Sequence, residues 1–184
     1  MPTHHVFRGL RRDRRAAAAL EFAIVSMPFL GLVLGLATVA VDMYLQEALD
    51  IAVQAAARQV QLGQVPATYS AGDFAGKVFC PAFVIFAPCT NVLVTLQPVT
   101  DYLSADVVAT QTAAQLGSSG SFCVGQPGQL MFARVVYLAP IISQFWPYAG
   151  QVSINGSIGT GLVSTAAFAN ENPSGAAIST SAGC

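Results

Sequence analysis

The chain has 184 residues, of which 54% are hydrophobic and only 9% charged, with a formal net charge of −1. Soluble domains carry roughly 25% charged residues, and here the mean hydropathy is +0.58. The composition therefore excludes an ordinary cytosolic globular protein, and the length allows one small domain plus an anchor.

The charge is unevenly placed. Within residues 1–15, five arginines (Arg8, Arg11, Arg12, Arg14, Arg15) stand against one acid, Asp13, a surplus of four cations. Residues 42–184 carry Arg58, Lys77 and Arg134 against seven acids. Between them lies an uncharged stretch, 22–41, long enough to cross a hydrocarbon core of about 30 Å as a helix. Cations before the span and none clustered after it set the N-terminus in the cytoplasm. Pro28 sits inside the span, where membrane helices tolerate it with a local kink.

A single acid, Glu21, precedes the span. A carboxylate costs about 2.5–3.5 kcal/mol near a membrane helix centre and less near its end. Three readings follow. Glu21 marks the membrane edge and reaches into the headgroups. Alternatively, 22–41 is a secretory signal with a weak cut near Thr38-Val39-Ala40, although it is longer than a usual apolar signal core and its helical pattern continues unbroken. The third reading uses Glu21 in assembly. Cutting the leader after Ala16 leaves Ala17 as a new N-terminus, four residues before Glu21. In a bundle of such helices the ammonium of one chain pairs with the carboxylate of another, and the two offset each other's burial cost.

Beyond the span, Asp42, Gln46, Glu47, Asp50, Gln54, Arg58 and Gln61 recur in steps of three and four, making a polar stripe. Val41, Leu45, Leu49, Ala52, Val53, Ala56 and Val60 form the opposite, apolar face. Gly63 followed by Pro66 is a stop signal. One helix of about 70 Å is thus expected over about 16–62, and the apolar face of its upper half needs a partner.

The remainder is richer in Pro, Gly, Ser and Thr. Residues 70–79 read as a short helix with Ser70 and Asp73 near its start. Residues 92–99 alternate and read as a strand; 130–138 read as a second, with Arg134 on its wet face. Residues 140–146 read as a short helical turn and 117–128 as a Gly/Ser loop. Asn155-Gly156 is a hairpin signal, a better explanation of Asn155-Gly156-Ser157 than glycosylation. Residues 158–169 supply a third strand, and 170–184 a loose polar tail. The expected architecture is α+β: a long N-terminal transmembrane helix whose upper half packs on a small antiparallel sheet. The expected divisions are a basic cytoplasmic leader (1–16), the helix (17–63, transmembrane over 22–41 and amphipathic over 42–62), an extracytoplasmic domain (64–169) and the tail (170–184).

Catalytic signatures are missing. The only histidines, His4 and His5, lie in the leader and read as solvated residues, so no Ser–His–Asp or Cys–His site reaches the exported part. Asp101 and Asp106 read as surface acids. There is no nucleotide fingerprint and no basic patch outside the leader for nucleic acid. No enzyme, metal site or cofactor is expected. Four cysteines, Cys80, Cys89, Cys123 and Cys184, indicate disulfides in an exported region. Three connectivities are open; we expect Cys80–Cys89 and Cys123–Cys184, because the first pair closes a short local loop. The Cys80–Cys89 spacing is also too wide for a usual zinc pair.

The run Arg14-Arg15-Ala16-Ala17-Ala18-Ala19-Leu20-Glu21-Phe22-Ala23-Ile24-Val25-Ser26-Met27-Pro28-Phe29 resembles the opening of TadE-like proteins, of the TadE/TadG family, in the Tad (Flp, type IVb) pilus system. Phe79-Cys80 with Cys89 before a Val-rich strand is similar to the family's cysteine pair and strand. Gly125-Gln126-Pro127-Gly128 before the strand ending near Tyr137, then Pro140, is similar to its glycine turn and following strand. Phe168-Ala169-Asn170-Glu171-Asn172-Pro173 resembles its closing Asn-Glu-Pro element with an inserted Asn. The resemblance implies a pilin-like fold and a minor pilin or pseudopilin supporting surface adhesion and biofilm formation. Its implied partners are a prepilin peptidase, other pilin subunits, the inner-membrane assembly machinery and the lipid bilayer. Ala16 and Ala17 would flank the cut, and Glu21 would serve recognition and assembly. Ala16 departs from the Gly of the prepilin rule. The implied location is a bacterial inner membrane with the C-terminal domain periplasmic, or an extracellular pilus. The competing expectations are an uncut single-span envelope scaffold and a secreted binding domain.

Overall fold

The computed structural model describes residues 14–83, 89, 91–101, 122–139, 151–154 and 157–171. The chain divides into two units, Met1–Val41 and Asp42–Cys184. The first contributes the beginning of α1, a helix of 48 residues over Arg14–Gln61 that continues into the second. Its opening is rich in Ala, the best helix former. Pro28 lies inside it, and the helix is assigned without a break across that position.

The end of α1 has a local cause. Gly63 adopts φ +68, which costs glycine little. Gln64 N–H then donates to Gln59 O and Gly63 N–H to Val60 O, both at 2.9 Å. These are the two bonds of a Schellman terminator, and they occupy carbonyls that the helix end would leave unpaired. Glu171 N–H takes a further one, donating to Gln61 O at 3.0 Å.

The next helical segment runs as α2 (Ala71–Phe74), a π-helical turn (Ala75–Phe79) and α3 (Cys80–Ala82). Its start is a capping box: Asp73 N–H donates to Ser70 Oγ at 3.2 Å, and Ser70 N–H to Asp73 Oδ2 at 3.3 Å. The wide turn has a packing consequence. A spacing of five puts Phe74 and Phe79 on one side, where both are buried. Phe79 stacks on Phe83 with centroids 5.2 Å apart, Phe83 meets Tyr137 edge-on at 5.0 Å, and Phe74 lies 5.3 Å from Phe122.

Among the described residues four antiparallel strands form one sheet in the order β1 (Val92–Pro98), β2 (Leu130–Ala139), β4 (Ser157–Ala169), β3 (Gln151–Ile154). This adds β3 to the three strands expected. Ile154 stands opposite Ser157, as the hairpin signal requires, although Asn155 and Gly156 lie outside the described residues. Opposed residues share a face. Val94, Leu96, Val135, Tyr137, Leu162 and Ser164 form one buried face. Leu45, Leu49, Ala52, Val53, Ala56, Ala57 and Val60 are the buried residues of α1; all but Ala57 lie on the face its periodicity predicts, and Val41 of that face is only half-buried. Gln46 Nε2 donates to Val163 O at 3.0 Å, tying this stretch of α1 to β4.

Two readings are corrected. Arg134 is not on a wet face but only 5% exposed. It sits mid-way along the central strand β2, opposite Thr95 and Thr165, and both faces of β2 are covered there. Burial holds its guanidinium pKa below the ordinary value. The loose tail does not begin at Asn170, which is 1% exposed. Its Nδ2 donates to Val124 O at 3.1 Å and Gly125 O at 3.4 Å, and its backbone N–H to Gln129 O at 2.9 Å. Gly128 N–H returns a bond to Asn170 O at 2.7 Å. Gly125 is required there: its φ is +76, and a Cβ would collide with the buried Met131 side chain. The expected turn at 140–146 and the rest of the tail fall outside the described residues.

Candidate assembly surface

The apolar opening of α1 is exposed along its whole length. Phe22 is 75% exposed and Met27 78%, and Leu20, Ile24, Val25, Phe29, Leu32 and Leu36 are also bare. This is one helix long and apolar enough to span a membrane, near the N-terminus. Its few polar side chains turn back on their own backbone: Ser26 Oγ donates to Ala23 O at 3.1 Å and Thr38 Oγ1 to Gly35 O at 2.7 Å. Such bonds suit hydrocarbon, where no water can serve a hydroxyl. Glu21 is exposed, one turn beyond Ala17 on the same side of the helix.

The expected cut between Ala16 and Ala17 falls among the first residues of α1 that the structure describes. A chain beginning at Ala17 would carry an ammonium at a helix N-terminus, where the dipole disfavours a cation and favours the Glu21 carboxylate.

The expected cysteine bridge is present: Cys80 and Cys89 are bonded, with Cα atoms 5.9 Å apart. It joins α3 to the chain leading into β1. Cys123 is also disulfide-bonded; Cys184, its expected partner, lies outside the described residues.

Sequence reasoning missed the outward ridge of α1. Met43, Tyr44, Glu47, Ile51, Gln54, Ala55, Arg58 and Leu62 are the exposed residues of 42–62. Four are large and apolar, so the side away from the sheet is not the purely polar stripe expected. The signal was available in the spacing of Met43, Ile51 and Leu62. Arg58 also borders an open groove with Gln54, Gln61 and Leu62 on one wall and Phe168 and Glu171 on the other. Neither Arg58 nor Glu47 makes an ion pair among the described residues.

Among the described residues no three His, Cys, Asp or Glu side chains come together as metal ligands. Models of protein families, characterised proteins and solved structures were compared with the chain, and none matches.

Proposed function

We propose that this chain is a pilin-like subunit, a minor pilin or pseudopilin of a Tad-type pilus, anchored in a bacterial inner membrane before assembly. One observation carries the reading. A bare apolar helix, with one acid near its start and a small-residue bond one turn before that acid, continues into the helix that builds the core of an α+β domain. The exposed segment serves two environments in turn. In the bilayer it is covered by lipid; in a fibre it is covered by the same segments of neighbouring subunits. Burying it in either releases about 25 cal/mol per Å² of apolar surface. Glu21 is the group that distinguishes the two, because a neighbour's ammonium satisfies it only in the fibre.

On this reading the basic leader sets the N-terminus in the cytoplasm and a prepilin peptidase removes it after Ala16. The disulfide-bearing domain then lies on the oxidising side of the membrane. Mass spectrometry of membrane-extracted protein is expected to find a mature chain starting near Ala17, dependent on the peptidase. An intact Met1 would overturn this and select the uncut single-span scaffold. A soluble chain starting near Val41 would select a secreted domain.

A further inference from the structure

We infer that the outward ridge of α1 is a self-complementary docking surface for a second, parallel copy of this chain, displaced by three helical turns. The inference rests on the subunit reading and adds to it which residues meet and at what offset.

Residues 43–62 carry two alternations on one side of the helix. Met43 is 70% exposed, Ile51 57% and Leu62 43%, a row of bare apolar side chains away from the sheet. Two opposite charges interrupt the row, Glu47 low and Arg58 high. They are separated by eleven residues, which is three turns at 3.6 residues per turn, so both project from the same side of the helix. Neither is neutralised within the described residues. Sliding a parallel copy along the axis by eleven residues, about 16 Å, sets Arg58 of one copy at the level of Glu47 of the next. The same displacement sets Leu62 against Ile51 and Ala55 against Tyr44. Two of these levels therefore pair apolar side chains, while a third sets Gln54 against Met43. Without displacement, Glu47 would face Glu47 and Arg58 would face Arg58, and both like-charge contacts are unfavourable. The ridge thus selects its own offset.

Among the described residues Glu171 is a competing partner for Arg58, because both border the same groove. It lies on the same copy, so it predicts a different mutational pattern.

The test uses the full chain, expressed in two differently tagged forms with a photo-crosslinking phenylalanine analogue at position 51 of one. Irradiation is expected to join position 51 to a peptide of the other copy containing Leu62. E47R and R58E should each lower the cross-linked yield on the order of fivefold, and the E47R/R58E double variant should restore it. E171Q should change nothing. Silent single reversals, a double variant no better than either single, or a cross-link elsewhere overturns the ridge. E171Q reproducing the loss also overturns it. If the two tags co-purify in a Glu21-dependent way without the ridge cross-link, the ridge fails while the subunit reading stands. If the tags never co-purify, both fall.

Discussion

Replacing Asn170 is the sharpest probe of the domain's construction. The side chain is 1% exposed, and its Nδ2 holds two carbonyls, Val124 O at 3.1 Å and Gly125 O at 3.4 Å. Val124 and Gly125 are themselves buried, so water cannot take over. A net hydrogen bond is worth about 0.5–1.5 kcal/mol, and a stranded buried group costs about 1–3 kcal/mol. Asn170→Ala should therefore destabilise the domain by about 2–4 kcal/mol. At this size each kcal/mol lowers Tm by about 3–5 °C, so a fall of about 6–20 °C is expected. Asn170→Asp is more informative. Its carboxylate would face two carbonyl oxygens, so its folded pKa must rise above the unfolded value near 3.9. The deficit of this variant against wild type should then shrink as pH falls through that raised pKa. Near-UV circular dichroism melts of detergent-solubilised full-length protein read both effects. A Tm change under 2 °C for Asn170→Ala would show that the amide is not what closes the 124–129 loop.

The remaining expectations concern the helix, the bridge and the cap. Leu49 is 0% exposed and Ile51 57%, though only two residues apart. Leu49→Ala should cost about 2–5 kcal/mol and Ile51→Ala about 0.5 kcal/mol or less, compared by urea unfolding; equal costs would mean that α1 buries a different side. Removing the Cys80–Cys89 bridge, which spans a sequence separation of 9, should cost about 2–3 kcal/mol on loop entropy, read by melting Cys80→Ser/Cys89→Ser against wild type. The Asp73 carboxyl is pulled from 3.8 down to about 2, chiefly by the Lys77 hydrogen bond and then by those of Ser70. A depressed acid stabilises above its unfolded pKa and loses that contribution as pH falls. The start of α2 should therefore hold at pH 5 and loosen between about pH 4 and 2. NMR titration of Asp73 reads this directly, and a midpoint near 3.8 would refute the cap.

The elements that periodicity reveals were legible in the sequence, and the ones that depend on neighbours were not. The buried face of α1 followed from steps of three and four, its end from Gly63, and the α2 start from Ser70 and Asp73. Each of these is fixed within about five residues of chain. Arg134 was misjudged because alternation was assumed in a strand that reads as a continuous apolar run, the pattern of a strand covered on both faces. Position in the sheet decides that, and sheet order is not written locally. Asn170 looked like the start of a polar tail because its partners, Val124 and Gly125, are more than forty residues away. Strand β3 is short, and its place beside β4 depends on the hairpin pairing rather than on its own pattern. Of the candidate assembly residues, the order Ala17, Glu21 and apolar run was readable directly, whereas the outward ridge was hidden by a polar-stripe assignment that passed over Met43 and Ile51.

The central claim is that Glu21 joins one subunit to the next. Glu21→Gln keeps the size and hydrogen-bonding capacity of the side chain and removes only its charge, so membrane insertion should be unaffected. The decisive measurement is the amount of this chain in sheared surface fibres relative to the membrane fraction, for wild type and Glu21→Gln. The account predicts normal membrane levels with the fibre fraction largely lost; fibres carrying the variant in wild-type amounts would contradict it.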